Sequence, residues 1–453
     1  MSTFKLNEII SATDGAVLKK VYTEFSGVNT DTRKIVAGEI FIALSGENFD
    51  GHNFIKLAIE KGATGLVISK DFKYDLADNI TVITVANPLK AYQQIARCYR
   101  EKFDIPIVAI TGSNGKTTTK DLAAAVLSAK YNVHKTAGNF NNEIGLPLTL
   151  LQLQPQHEVA VVEMGMRGLG HIKELTQIAK PNIAIVTNVG ETHMELLGNI
   201  DNIAKAKSEL VQAIPAEGLV ILNSDDENVK KMAEKTLAEV IYFGIDNEAD
   251  VKATDIEYYQ TETKFNYTYQ NQKYCCRVPL VGKHNLYNSL AAIALGHRMK
   301  LESQELQKGL NQLSLSAMRL AVMKLKDYTF INDAYNASPM SMNAAIESLS
   351  KIAPNRKVAV LGDMLELGDI SKDAHLKIGD ILAKNKVELV ITLGEAAKNI
   401  AVQAKNNGII NVYEAVDHED IKNILRKNLK AGDTVLIKGS RGMKMEKTLE
   451  GLF

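Results

Sequence analysis

An α/β protein with three units in tandem is what this sequence predicts, and three observations predict it. Short apolar, β-branched runs alternate with helical patterns along most of the chain, as parallel sheets with helices on their faces require. The alternation is interrupted at Asp104-Ile105-Pro106, where proline stops helical geometry, and it restarts again from about Leu313. A length of 453 residues also exceeds what one hydrophobic core organises. The expected divisions are a small N-terminal α/β domain at 1–84, a central parallel-sheet domain with an antiparallel appendage at 85–312, and a Rossmann-like domain at 313–453.

Bulk composition excludes several function classes. Lys plus Arg and Asp plus Glu both number 53, so the net charge is zero, which argues against wrapping a nucleic acid. Cys98, Cys275 and Cys276 fit neither a disulfide framework nor a zinc site, as expected in a reducing compartment. No apolar run reaches the roughly 18 residues of a membrane span. The start MSTFKLNEII lacks the charged-then-apolar layout of a signal peptide, and a cytoplasmic location is expected.

In the N-terminal region a helix is expected over Asn53 to Lys61, ended by Gly62, and a strand over Phe41 to Leu44. Asp31, Thr32 and Arg33 fall in a polar loop after a strand, a place that suits either a ligand or solvent. A helix from about Leu89 to Lys102 follows.

The central unit opens with IVAITGSNGKTTT, Ile107 to Thr119: a short buried strand, a glycine-bearing turn and an amphipathic helix. Such a turn is a phosphate cradle (P-loop). Thr111, Gly112, Ser113, Asn114 and Gly115 let backbone N–H groups face an anion at the helix N-terminus. Lys116 adds a cation, and Thr117 or Thr118 a hydroxyl for an accompanying magnesium ion. Ile110 stands six positions before Lys116, where the general pattern has a small residue, so the loop is a variant. Further parallel strands are expected at Val133 to Lys135, Val159 to Glu163, Ile183 to Asn188 and Leu219 to Asn223. Alternating strands with a turn near Asn271 follow between Asp250 and Val281, and then a helix from near Asn285. The third unit has strands at Thr329 to Asn332, Val358 to Leu361, Leu389 to Thr392 and Val435 to Lys438. No Gly-x-Gly-x-x-Gly stands at a strand-to-helix turn, which argues against a nicotinamide enzyme.

Several groups suit charge-handling chemistry. Glu163 ends an apolar strand, where a carboxylate holds magnesium beside a phosphate loop or caps the turn at Gly165. His193, after the strand beginning at Ile183, is a ligand, a general base or a surface residue. Lys205, Lys207 and Glu209 read by themselves as a solvated helix face, and Asn285 caps a helix or reaches a purine. Arg319 and Asp333, the latter at the end of a strand, begin the third unit, and the arginine would complete phosphate neutralisation if that unit folds over the nucleotide.

Taken together, TGSNGKTTTK, GNFNNEIGLPLTLL, EMGMRGLGHI, TNVGETHMELLG, AKSEL, GKHNLYNSLAA, DAYNASPMSM, GDMLELG and KGSRGMKME resemble the Mur ligases along nearly the whole chain, with TDTR and FIALSGENFDGH at the N-terminus. The shorter TGxxGKT loop of that family accounts for Ile110. The resemblance implies an ATP-dependent amide ligase working through an acyl phosphate, probed by UDP-N-acetylmuramoyl-tripeptide and D-alanyl-D-alanine as its substrates, and a monomer. It implies catalytic roles for Lys116, Glu163, His193 and Lys207. Two magnesium ions would be held by Thr117, Glu163, His193 and a carbamylated Lys207. Asn285, Arg319 and Asp333 would contact the nucleotide. Asp31, Thr32, Arg33, Leu44, Gly46 and His52 would bind the UDP-linked precursor with Asn139, Asn141 and Asn142, and Asn336 and Ser338 the dipeptide. Ser338 stands where the family pattern YNANP has Asn. The competing readings are a sister ligase adding one amino acid, a folylpolyglutamate synthase, and a nucleotide switch without ligase activity.

Overall fold

The computed structural model describes residues 3–46, 49–73, 78–316 and 318–453, so Glu47 and Asn48 of the FIALSGENFDGH motif lie outside the described residues. The chain divides into two compact units, and each mixes strands with covering helices, in agreement with the expected α/β class.

The first unit comprises Met1–Ile107, Asn132–Met164 and Lys173–Pro181. Its five-stranded sheet runs Ala16–Lys19, Thr81–Val85, Gly65–Ser69, Ile40–Ile42, Val28–Asn29, parallel throughout except for the first pair. Central strands such as Ile40–Ile42 are buried on both faces, which is why they read as continuous apolar runs. The expected helix from Asn53 begins as a tight 3₁₀ turn, Gly51–Phe54, and becomes α-helical only over Ile55–Glu60. Asp50 causes this, because its carboxylate accepts the His52 N–H at 3.1 Å and caps the turn early. Two further parallel strands, Val133–Lys135 and Val159–Glu163, match their expected bounds.

The second unit comprises Val108–Tyr131, Gly165–Ile172 and Asn182–Phe453. Its first sheet orders the strand Ile107–Thr111, then Ile183–Val186, Leu219–Asn223 and Glu239–Gly244, all parallel. The strand Glu239–Gly244 was not separately expected; it begins on an exposed Glu239 and buries Ile241, Phe243 and Gly244. Val251–Tyr258 joins parallel to it, and Thr263–Tyr269 and Gln272–Val278 extend the sheet antiparallel. Gln270 and Asn271 both take positive φ, 49° and 61°, the two-residue turn that suits a twisted hairpin. Gln272–Val278 is the edge strand, and Gln307 lies against it: Arg277 N–H donates to Gln307 Oε1 at 2.9 Å and Gln307 Nε2 donates to Arg277 O at 2.8 Å. The other sheet runs Ala321–Leu325, Tyr328–Asn332, Thr434–Lys438, Lys357–Gly362, Leu389–Leu393, Asn411–Ala415, parallel after its first pair. Apolar layers on both faces of that sheet, centred on Leu349, Leu361 and Leu436 on one side and Phe330, Val360 and Ile437 on the other, hold its helices.

Candidate active site

The strands Ile107–Thr111 and Ile183–Val186 are parallel neighbours, so their following loops leave from the same end of the sheet and meet. Ser113 N–H donates to Asn188 O at 2.9 Å, Ser113 Oγ donates to Gly190 O at 2.9 Å, and Asn114 N–H donates to Asn188 Oδ1 at 2.9 Å. This use of Thr187 and Asn188 in the loop explains why the second strand stops at Val186, short of the expected Asn188. The loop turns at two glycines, Gly112 with φ 149° and Gly115 with φ 82°. A Cβ on Gly112 would stand 1.9 Å from Thr187 Oγ1, and one on Gly115 would stand 2.4 Å from Asn288 Oδ1. Neither position admits a side chain.

Gly115 ends the loop and the helix Lys116–Leu127 begins, its positive end set at the turn. Thr111, Ser113, Thr117 and Thr118 are buried around it. Lys116 folds back over the loop, donating to Gly112 O at 2.8 Å and Ser113 O at 3.3 Å. Backbone N–H groups, a helix N-terminus and an ammonium group at one glycine-hinged turn make an anion cradle.

Lys207 lies on the helix Ile200–Gln212, and the solvated-face alternative fails for it: its side chain is only 2% exposed. Among the described residues its amine has one hydrogen-bonding contact, Met166 Sδ at 4.0 Å. Burial, and then the positive charge of Lys116, hold its pKa well below the usual lysine value. Both effects disfavour the charged form of the amine.

His193 Nδ1 stands 2.6 Å from a Glu366 carboxylate oxygen, and this neighbour, first by its hydrogen bond, lowers the Glu366 pKa. Both residues have left-handed backbone, φ 57° and 63°, a strain that surrounding structure must hold in place. Glu195 N–H donates to Glu366 O at 3.2 Å, which ties the same two turns together.

Asp333 and Lys438 follow from neighbouring parallel strands and meet at 2.6 Å. Lys438 Nζ also donates to Asn336 O at 2.9 Å, and Leu320 N–H donates to the other Asp333 oxygen at 3.1 Å. The Arg319 guanidinium lies over the Tyr335 ring, 4.1 Å from its centre. Ser338 caps the helix Pro339–Ile352 and its hydroxyl donates to Asn114 Oδ1 at 2.9 Å. Asn285 is not a helix cap: Gly282, with φ 108°, holds that position, and the buried Asn285 amide donates to Val281 O at 2.9 Å.

In the first unit, Asn141 Nδ2 donates to Glu163 Oε1 at 2.7 Å and the Glu163 N–H donates to Thr136 Oγ1 at 3.1 Å. The carboxylate is thus oriented by the GNFNNEIG loop. Asn142 Oδ1 accepts the Gly145 N–H at 2.9 Å and starts the helix Gly145–Leu151, while Asn139 is exposed. Lys34 reaches over the Phe140 ring at 5.9 Å, joining this loop to Asp31, Thr32 and Arg33. Asp31 pairs with Arg33 at 2.8 Å, and that hydrogen bond pulls the Asp31 pKa down to about 2. His52 is buried, with Nδ1 2.7 Å from Asp50 and Nε2 accepting the Ser69 N–H at 3.0 Å; Leu44 is buried and Gly46 exposed. Sequence reasoning missed Asn188, Asn288, Glu366 and Lys438. Lys438 had a signal, a charge ending an apolar strand, as Asp333 does.

Three family models match in succession: "Mur ligase family, catalytic domain" at residues 24–100, "Mur ligase middle domain" at 110–296, and "Mur ligase, glutamate ligase domain" at 318–441. The UDP-N-acetylmuramoyl-tripeptide--D-alanyl-D-alanine ligase of Bacillus subtilis (strain 168) is 38% identical over 95% of this chain and 93% of its own length. A crystal structure of MurF from Acinetobacter baumannii superposes with a TM-score of 0.92 at 30% identity, covering 100% of this chain and 99% of that one. The MurF ligase of Thermotoga maritima, solved in complex with ADP, gives 0.84 at 28% identity, covering 94% and 96%. With a glycine-hinged anion cradle, a buried lysine and this similarity from end to end, the chain belongs to the Mur ligase family.

Proposed function

We propose that this chain is an ATP-dependent, ADP-forming ligase that joins D-alanyl-D-alanine to UDP-N-acetylmuramoyl-tripeptide, in cytoplasmic synthesis of the peptidoglycan precursor. The observation that carries this reading is the loop from Thr111 to Thr118, closed on two glycines with Lys116 folded over it. Its support is a chain similar throughout to ligases of that name, one of them solved with ADP. Residues 1–84 are assigned to the UDP-linked precursor, 85–312 to ATP, and 313–453 to closure over ATP and to the dipeptide, in a monomer.

Both reactants of the first step are anions, since the terminal carboxylate of the tripeptide attacks the γ-phosphate of ATP and displaces ADP. The loop N–H groups and Lys116 offset that repulsion, and the nucleotide contacts are assigned to Asn285, Arg319 and Asp333. The amine of D-alanyl-D-alanine then attacks the acyl carbon of the resulting acyl phosphate. The tetrahedral intermediate expels phosphate, the amine loses a proton, and the amide remains. Enclosure by residues 313–453 keeps water from the acyl phosphate. Asp31, Thr32, Arg33, Leu44, Gly46, His52, Asn139, Asn141 and Asn142 are assigned to the precursor, and Asn336 to the dipeptide.

Among the described residues no three His, Cys, Asp or Glu side chains gather as a ready metal cluster. The family resemblance assigns magnesium to Thr117, Glu163, His193 and Lys207, and of these only Glu163 brings a negative charge, so an additional acidic group is what magnesium would need. An uncharged buried amine is the form that adds carbon dioxide, and carbamylated Lys207 would be that group. Bound magnesium would supply positive charge to the β and γ phosphates.

The test is phosphate release by the purified protein with ATP and magnesium. Release is expected only when the UDP-linked tripeptide and D-alanyl-D-alanine are both present. Equal turnover with a single amino acid, or none with the dipeptide, overturns the assignment.

A further inference from the structure

Asn114 forms the tip of the phosphate loop, between the two glycines at which that loop turns. Its backbone is held by neighbouring residues: its N–H by Asn188 Oδ1, and its carbonyl by Asn188 Nδ2 at 3.0 Å and Thr187 Oγ1 at 2.6 Å. Its side chain is held from elsewhere. Ser338 Oγ donates to Asn114 Oδ1 at 2.9 Å, and Asn114 Nδ2 faces Met340 Sδ at 3.5 Å. Ser338 and Met340 belong to the start of the helix Pro339–Ile352, some 220 residues along the chain.

The Ser338 hydroxyl has its proton available for this bond. Ser341 N–H donates to Ser338 Oγ, Ser338 N–H donates to Ser341 Oγ at 2.9 Å, and Ser341 Oγ donates to Ser338 O at 3.1 Å. The cap is satisfied, and the Ser338 hydroxyl has two acceptors within reach, Asn114 Oδ1 at 2.9 Å and Ser341 Oγ at 3.1 Å, of which Asn114 is the nearer. The contact is built rather than incidental: Ser338 is only 6% exposed, and a Cβ on Gly190 would stand 2.8 Å from Met340 Cε, so the helix start is seated on both loops of the site.

We propose that Ser338 is a positioning residue for the nucleotide-binding loop and not a wall of the dipeptide pocket. Its hydroxyl fixes the Asn114 amide, and with it the side chain at the tip of a loop that turns on two glycines. The stretch after the strand Tyr328–Asn332 thereby senses whether the loop is in its anion-binding form. The inference rests on the reading of residues 111–118 as the ATP site.

The experiment uses the full chain and ADP with magnesium as the probe. Glycine is tolerated at a helix cap, so Ser338→Gly removes the hydroxyl with little change to the helix, and Ser338→Thr restores it. Calorimetry is expected to show ADP binding about 3- to 10-fold weaker in Ser338→Gly and restored in Ser338→Thr, on the scale of one neutral hydrogen bond. The KM for ATP rises with it while the KM for D-alanyl-D-alanine stays within about twofold. Adding Ser338→Gly to Asn114→Ala costs no further ADP affinity, since the bond is already gone. Unchanged ADP affinity with a raised dipeptide KM, or fully additive losses in the double variant, overturns the proposal. Absence of ADP binding by the unaltered protein overturns the loop reading itself, and this inference with it.

Discussion

Replacing Lys207 by methionine separates what this residue does for the fold from what it does for the reaction. The two side chains match in length and shape, so the exchange leaves no cavity. Lys207 is 2% exposed, and among the described residues the one hydrogen-bonding contact of its amine is a sulfur at 4.0 Å, a poor return for leaving water. A buried polar group without a proper partner costs about 1–3 kcal/mol. Lys207→Met is therefore expected to be more stable by about that amount, a rise of roughly 2–5 °C in the thermal midpoint for a unit of this size. Turnover in the phosphate-release assay falls in the same variant by about 100-fold or more, the scale of removing a charged group from the reacting centre. Lys207→Ala, which leaves room for a small acid, recovers part of its lost turnover with added acetate. Differential scanning calorimetry without nucleotide and the turnover assay on one preparation decide the matter. A midpoint that falls, together with retained turnover, refutes both the buried uncharged amine and its role.

Two other expectations follow from local geometry. Gly112→Ala puts a methyl group 1.9 Å from Thr187 Oγ1 at a φ that side chains avoid, so ADP binding measured by calorimetry falls by at least about tenfold, the effect of roughly 1.4 kcal/mol; unchanged affinity would show that the loop is not the nucleotide site. His297 stacks on Tyr269, lies 3.0 Å from the Tyr267 hydroxyl, and is pushed by burial down to a pKa of about 4. The unfolded chain, with an ordinary histidine near 6.5, then binds more protons between these values, so stability is lost as pH falls from about 6.5 through 4. His297→Phe keeps a ring in place and is expected to lose less of its thermal midpoint between pH 7 and pH 5 than the unaltered protein; an equal loss would mean that the imidazole is already charged in the fold.

Much of this was legible in the sequence, because buried parallel strands write themselves as apolar runs. Val133–Lys135, Val159–Glu163 and Leu219–Asn223 were bounded to the residue. The strand Glu239–Gly244 was not picked out, and Asp50 shortened a helix through a hydrogen bond that spacing does not reveal. At the site, the cradle was visible because its glycines, lysine and threonines are consecutive. Lys207 was not, since Lys205 and Glu209 beside it make its helix look solvated while one face is in fact sealed. The Ser338 to Asn114 and His193 to Glu366 contacts join residues far apart in sequence at strained or capped turns, and periodicity carries no information about them.

The amide of Gln307 against the edge strand Gln272–Val278 has its own consequence. A donor and an acceptor on one side chain answer the N–H and C=O of Arg277, so the glutamine imitates one residue of a next strand. A sheet edge left bare is a template on which a second chain can grow, the first step of open-ended aggregation. Here the template is blocked at that residue by a side chain from the helix Ser303–Asn311, which cannot propagate the pattern because its own backbone is already spent on helical hydrogen bonds.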